Sequence, residues 1–178
     1  MTLCAFFLLL FCITTVLLIF KNAQLKKLSE TDTLTGLPNY RKLQQLLKNK
    51  TNYKSVILLD IDNFGEFNKT AIHKGDEVLI EFAGQIKTLL QQKAIVCRYR
   101  LGDEFAIIPL PSSNEEELIQ TLLKHFQNYH FQHIEHNNNY RLLFCYSLVH
   151  LSDDTGYDLN KAELLLAEAK RNRSESVR

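Results

Sequence analysis

An excess of charge of either sign is almost missing from this 178-residue chain: 21 Lys and Arg stand against 20 Asp and Glu, a net charge of +1. With a pI near 7.7, the chain gives no sign of a nucleic-acid-binding surface, and no nucleic-acid partner is expected. Cysteine is scarce too. Cys4, Cys12, Cys97 and Cys145 are the whole set and none has CxxC spacing, so neither a zinc site nor a disulfide framework is expected. They read as small apolar residues of a reducing compartment. There is no Gly/Ser-rich linker and no internal repeat, and the length suits one domain of ordinary size.

Charge is wholly absent from residues 3 to 20, "LCAFFLLLFCITTVLLIF". Eighteen residues at about 1.5 Å each span roughly 27 Å, close to the hydrocarbon core of a bilayer. Ser, Thr and Cys are tolerated there because their donors bond back to the helix. A cleaved signal peptide would show a basic stretch before this run and a small-x-small site after it. A buried core helix would be shorter and differently flanked. The run is therefore expected to contact the membrane as an anchor. Lys21, Lys26 and Lys27 follow it, and positive residues stay on the cytoplasmic side, so the rest of the chain is expected in the cytoplasm.

The remainder alternates between two periods. Residues 21–30 read as a short polar helix, broken by Gly36 and Pro38 in "TDTLTGLPNY". Helical spacing returns over 39–50 through Tyr40, Leu43, Leu46 and Leu47. "SVILLDID" (55–62) is a continuous apolar run ending in acids, the pattern of a strand buried on both faces. Residues 75–90 are amphipathic through Val78, Leu79, Phe82, Ala83, Ile86 and Leu90. "RYRLGDEFAII" (98–108) reads as a hairpin with acids at its tip. "SSNEEELIQTLLKHFQNY" reads as a helix capped by Ser113 or Asn114, with three acids where the dipole favours them. "HFQHIEH" and "YRLLFCYSLVHL" around Asn137-Asn138-Asn139 read as a second hairpin, and "LNKAELLLAEAKRNR" as a final helix. The order α-β-α-β-β-α-β-β-α predicts a mainly antiparallel sheet of about five strands with packed helices, a ferredoxin-like α/β sandwich.

Strand alternation puts Asp60 and Asp62 on one face and Ile61 on the other. If the strand ending at Asp60 neighbours the hairpin tipped by Asp103 and Glu104, three or four carboxylates converge at one sheet edge. Such crowding holds hard cations such as Mg²⁺, and two ions can clamp the oxygens of a phosphoryl transfer. Equally, Asp62 and Glu104 alone read as solvated strand ends. His130, His133 and His136 would not share one face of a strand, so they read as solvated positions rather than a metal site.

"TDTLTGLPNY", "LLDIDNF", "FNKTAIHKGDEVL", "RLGDEF" and "AELLLAEAK" occur in the order seen in GGDEF domains, the diguanylate cyclases, and the resemblance covers about residues 28 to 173. It implies the palm-like α/β sandwich of nucleotidyl cyclases. It also implies condensation of two GTP molecules into cyclic di-GMP with release of pyrophosphate. A catalytic homodimer follows, each subunit holding one GTP. By the resemblance, Asp60, Asp103 and the backbone carbonyl of Ile61 are the metal ligands, for two Mg²⁺ or Mn²⁺ ions per active site. Asp103 and Glu104 are the catalytic acids of the signature. Asn63 and Phe64 open the phosphate loop, Asn68 and Asp76 read guanine, and Lys170 contacts the triphosphate. The implied layout is an anchor over 1–20, a linker helix over 21–30, a GGDEF domain over 31–173 and a tail over 174–178. The implied location is the bacterial cytoplasmic membrane, single-pass, with the catalytic domain in the cytoplasm.

The sequence departs from the family pattern in several places. The signature is usually Arg-x-Gly-Gly-Asp/Glu-Glu-Phe; Arg100-Leu101-Gly102-Asp103 has one glycine, as if a residue had been removed. Gly65 stands where a lysine is usual and Tyr40 where arginine is common. Asn68 and Asp76 are eight apart instead of nine, and Arg171-Asn172-Arg173 follow Lys170 without the usual spacer. Losing a glycine costs a position where φ > 0 comes without strain. These departures support a second reading, a degenerate domain that binds GTP or a partner and makes nothing. The stretch "LLQQKAIVCRYR" (89–100) also has no acid for the family's Arg-x-x-Asp product site.

Overall fold

The computed structural model describes residues 2–48, 53–65, 67, 72–100, 102–127, 129 and 143–176. Among them run helix α1 (Thr2–Ser29), helix α2 (Tyr40–Lys48), strand β1 (Ser55–Ile61), helix α3 (Ile72–Leu89), strands β2 (Ala94–Arg98) and β3 (Glu104–Pro109), helix α4 (Glu115–Gln127), strand β4 (Phe144–His150) and helix α5 (Thr155–Ser176). The four described strands form one antiparallel sheet in the order β2-β3-β1-β4. That is the expected α/β sandwich with four strands described rather than about five. The "HFQHIEH" strand and the three histidines lie outside the described residues, as do the asparagines between the two expected strands.

β1 is central because every one of its positions is buried. One face of the sheet packs Ile57, Leu59, Phe105 and Ile107 against Phe82 and Ile86 of α3 and Leu122 and Phe126 of α4. The other packs Val56, Leu58, Ala106 and Ile108 against Leu43 and Leu47 of α2 and Ala162 and Leu166 of α5. The caps follow the expected chemistry. Asn114 Oδ1 accepts from Glu117 N–H at 3.0 Å, so Asn114 rather than Ser113 caps α4. Asp154 Oδ1 caps α5 by accepting from Tyr157 N–H at 3.0 Å.

α1 runs unbroken through the apolar run and the lysines after it, and is long and apolar enough to cross a membrane. The hydroxyls of Thr14 and Thr15 donate to the Phe11 carbonyl, at 2.9 and 2.8 Å. After Ser29 the chain folds back on itself. Asp32 N–H donates to Leu37 O at 2.8 Å, and Gly36, at φ 68°, closes the turn. Asn39 then returns to the helix end, its side-chain amide donating to Ser29 O at 3.0 Å and its N–H to Glu30 O at 2.9 Å. Lys42 pairs with Glu30 at 2.8 Å, and Arg98 N–H donates to Pro38 O at 2.8 Å, which ties the turn to β2.

Candidate active site

The acids meet because of register. Asp60 stands directly opposite Glu104 across β1 and β3, and Ile61 N–H donates to Asp103 O at 3.3 Å. Alternation from Val56 and Leu58 turns Asp60 toward α5, and Lys170 of α5 pairs with its Oδ2. Asp60 is only 2% exposed, and its Oδ1 is buried without a hydrogen-bond partner. Burial pushes its carboxyl up to about 6; Lys170 opposes this and the charge of Asp103 adds to it. Burial is also the main cause that raises Glu104. For Lys170, burial works against the ammonium, but Asp60, Asp103 and Glu104 outweigh it and raise the pKa.

Beside this group, Asp62 is already engaged. Its Oδ2 faces Arg173 Nη1 at 2.8 Å as an ion pair but accepts no hydrogen bond. Arg173 Nη1 donates instead to Phe144 O at 2.8 Å. The Cys145 thiol donates to Asp62 Oδ1 at 3.1 Å, and burial, then Asp62, pushes that thiol up to about 11. Residue order alone gives Arg173 no role and reads Cys145 as filler; the register of β4 on β1 brings Cys145 to Asp62, and the packing of α5 on the sheet brings Arg173.

The hairpin tip departs from expectation in one respect. Arg98, not Arg100, ends β2, opposite Phe105, and Tyr99 N–H donates to Glu104 O at 2.9 Å. Counted from Arg98, the family pattern carries one residue too many rather than one too few. The extra length is taken up in left-handed backbone, at Arg100 (φ 51°) and Gly102 (φ 153°). Arg98 itself is 5% exposed and lies over the Phe105 ring at 4.9 Å, with Nε and Nη1 unbonded. Burial lowers its pKa, while Asp32, Asp103 and Asp76 oppose that shift.

The remaining predicted residues are more scattered. Asn63 is exposed, with φ 55°, at the end of β1, and Phe64 is half-buried against Phe67 at 6.1 Å. Asp76 is exposed near the start of α3. Asn68 lies outside the described residues. The structure thus gathers Asp60, Ile61, Asp103, Glu104 and Lys170, with Asp76 on a different element.

Among the described residues no three His, Cys, Asp or Glu side chains form a ready cage for a metal. The expected set asks for less, two carboxylates and a backbone carbonyl. All are hard oxygen donors suited to Mg²⁺. The unbonded, buried Oδ1 of Asp60, with an ammonium on the other oxygen, fits a place made for positive charge.

Residues 29–176 match the family model described as "Diguanylate cyclase, GGDEF domain". The chain belongs to the GGDEF family. This GGDEF chain is 34% identical over 172 residues to the diguanylate cyclase DgcN of Escherichia coli, which covers 88% of the chain and 41% of DgcN. It is 41% identical over 90 residues to the response regulator PleD of Caulobacter vibrioides, covering 46% of the chain and 20% of PleD. The chain therefore spans about two-fifths of the first relative's length and a fifth of the second's. Among solved structures, the coiled coil and GGDEF domain of DgcB from Caulobacter crescentus, in complex with c-di-GMP, is similar with a TM-score of 0.73. Each chain is covered to 90% at 20% identity, a likeness of fold.

Proposed function

We propose that this GGDEF protein is a membrane-anchored diguanylate cyclase, joining two GTP molecules into cyclic di-GMP with release of pyrophosphate. The observation that carries the reading is the opposition of Asp60 and Glu104 across β1 and β3, with one buried Asp60 oxygen still unbonded. Two Mg²⁺ or Mn²⁺ ions held by Asp60, Asp103 and the Ile61 carbonyl would supply positive charge beside the attacking and leaving oxygens. Lys170, 43% exposed at its side chain, turns from Asp60 to the triphosphate as a point charge. Asn63 and Phe64 open the loop whose N–H groups hold the phosphates. Asp76 accepts from guanine N1–H and N2–H₂ while Asn68 bonds the other polar edge. Glu104, its carboxyl raised by burial, stands beside the reacting 3′-hydroxyl and takes its proton.

Each subunit holds one GTP, and the 3′-hydroxyl of each attacks the α-phosphate of the other, so a homodimer is the working form. α1 anchors the chain in the bacterial cytoplasmic membrane through residues 3–20. Residues 31–173 then form the cytoplasmic GGDEF domain. The test is to incubate the full chain in detergent micelles with GTP and Mg²⁺ or Mn²⁺ and to separate the nucleotides. Cyclic di-GMP is expected from the wild type and none from Asp103→Ala. Bound GTP without product in either metal leaves the degenerate binding module as the function.

A further inference from the structure

The tip of the hairpin has a structural difficulty. Arg100 holds a left-handed backbone without being glycine, a strained conformation that lasts only where neighbours over-determine it. The neighbour here is Glu163 of α5. Its Oε1 accepts from the Tyr99 hydroxyl at 2.5 Å and pairs with Arg100 Nη2 at 2.5 Å. The Arg100 guanidinium lies over the rings of Tyr99 and Tyr40, at 5.4 and 5.6 Å, and those two rings meet edge-on at 5.2 Å. Tyr99 is 1% exposed, so its hydroxyl depends on this partner.

Glu163 belongs to "AELLLAEAK", yet the reaction described above gives it no task. Its position on α5 supplies one. Lys170, which holds Asp60, is seven residues further along the same helix. That is about two turns, or roughly 10 Å. One helix therefore grips the signature hairpin at Glu163 and β1 at Lys170. Tyr99 is bonded through its N–H to the carbonyl of Glu104, and Asp103 O receives the Ile61 N–H. Fixing Tyr99 and Arg100 fixes the acids that follow them.

We propose that Glu163 is the positioning residue of the acidic site: by holding Tyr99 and Arg100 it sets where Asp103 and Glu104 stand relative to Asp60. The inference rests on the metal-binding reading of those acids. It also explains how a tip with a single glycine keeps its aim, since side-chain contacts to α5 replace the backbone freedom of the missing one.

The experiment uses the full chain in micelles and needs no turnover. Mn²⁺ binding is read from the electron paramagnetic resonance of the free ion, and hydrogen exchange is followed over residues 99–105 and, for comparison, 55–60. Glu163→Ala is expected to weaken Mn²⁺ binding at least about tenfold, the scale of one charge-assisted hydrogen bond, and to speed exchange over 99–105 alone. Glu163→Gln keeps an acceptor for the Tyr99 hydroxyl, and a loss below about threefold is expected. If Glu163→Ala does not fold, Arg100→Ala carries the same test, with about a threefold loss expected. Mn²⁺ affinity unchanged in these variants overturns the proposal alone, as does unchanged exchange over 99–105. Absence of Mn²⁺ binding in the wild type overturns the metal reading together with it.

Discussion

The two faces of the sheet share the same four described strands and differ at one end. Toward α3 and α4 the face is apolar nearly throughout, from Ile57 and Leu59 to Phe105, Ile107 and Phe144, around Phe82. Toward α2 and α5 it begins the same way, with Val56, Leu58, Ala106 and Ile108. It then changes to Asp60, Glu104 and Tyr99, and the helix above it answers with Glu163, Lys170 and Arg173. Because side chains alternate, a single strand serves both. The difference shows where stability and chemistry are separated: one face supplies packing that lets the other keep a buried carboxylate.

The largest break in that comparison comes from the apolar face. Phe82 is fully buried, with ring contacts to Phe105, Phe126 and Phe144 at 5.1, 4.6 and 6.2 Å. Phe82→Ala is expected to cost about 3–5 kcal/mol in urea unfolding. A loss under about 1 kcal/mol would show that this face is not the stabilising one.

The opposite sign is expected at Asp60. Its folded carboxyl titrates near 6 against an ordinary value of 3.8. A raised carboxyl costs stability above its folded pKa, and the cost fades as pH falls through about 6 toward 4. Asp60→Asn should therefore stabilise the metal-free protein at pH 7.5, by up to roughly 3 kcal/mol. The gain should shrink steadily between pH 6 and 4. Unfolding curves of both proteins at several pH values check this, and a variant less stable than wild type at pH 7.5 would contradict it.

Least should happen at Lys93, on the turn between α3 and β2. It pairs with Glu117 at 2.8 Å with both side chains at least half exposed. Lys93→Ala is expected to change stability by less than about 0.5 kcal/mol. With no acid nearby in residues 89–100 and no planar fork on a lysine, cyclic di-GMP should leave reaction progress curves unflattened in both proteins. Product inhibition that disappears in Lys93→Ala would contradict this.

Much of this was legible in residue order. The continuous run of β1, the amphipathic α3, the acids that open α4 and the apolar α1 each carry a period or a cap that local physics fixes. Asp60, Asp103 and Glu104 could be named because acids at the ends of apolar runs are conspicuous. The start of α5 was not legible: Gly156 sits in its first turn, and the capping relies on Asp154, with Asp158 accepting from Ser152 N–H and hydroxyl at 2.7 Å each. Nor was the choice between Arg98 and Arg100 legible. Both fit an arginine-led signature, and only pairing with Phe105 decides which lies in the strand. The contacts of Glu163 and Arg173 were hidden for the same reason, since they cross from a helix to the hairpin tip and to strand ends far away in sequence.

The fold-back after Ser29 bears on what α1 is able to transmit. A stalk hung on a slack tether passes on position and nothing else, because the tether swivels. Here Asn39 is bonded back to the end of the helix, and Pro38 is bonded to Arg98, the residue that leads into Tyr99 and the acids. A rotation of α1 about its own axis therefore meets bonds rather than slack at the joint, and those bonds lead to β2, the strand that runs into the acidic hairpin.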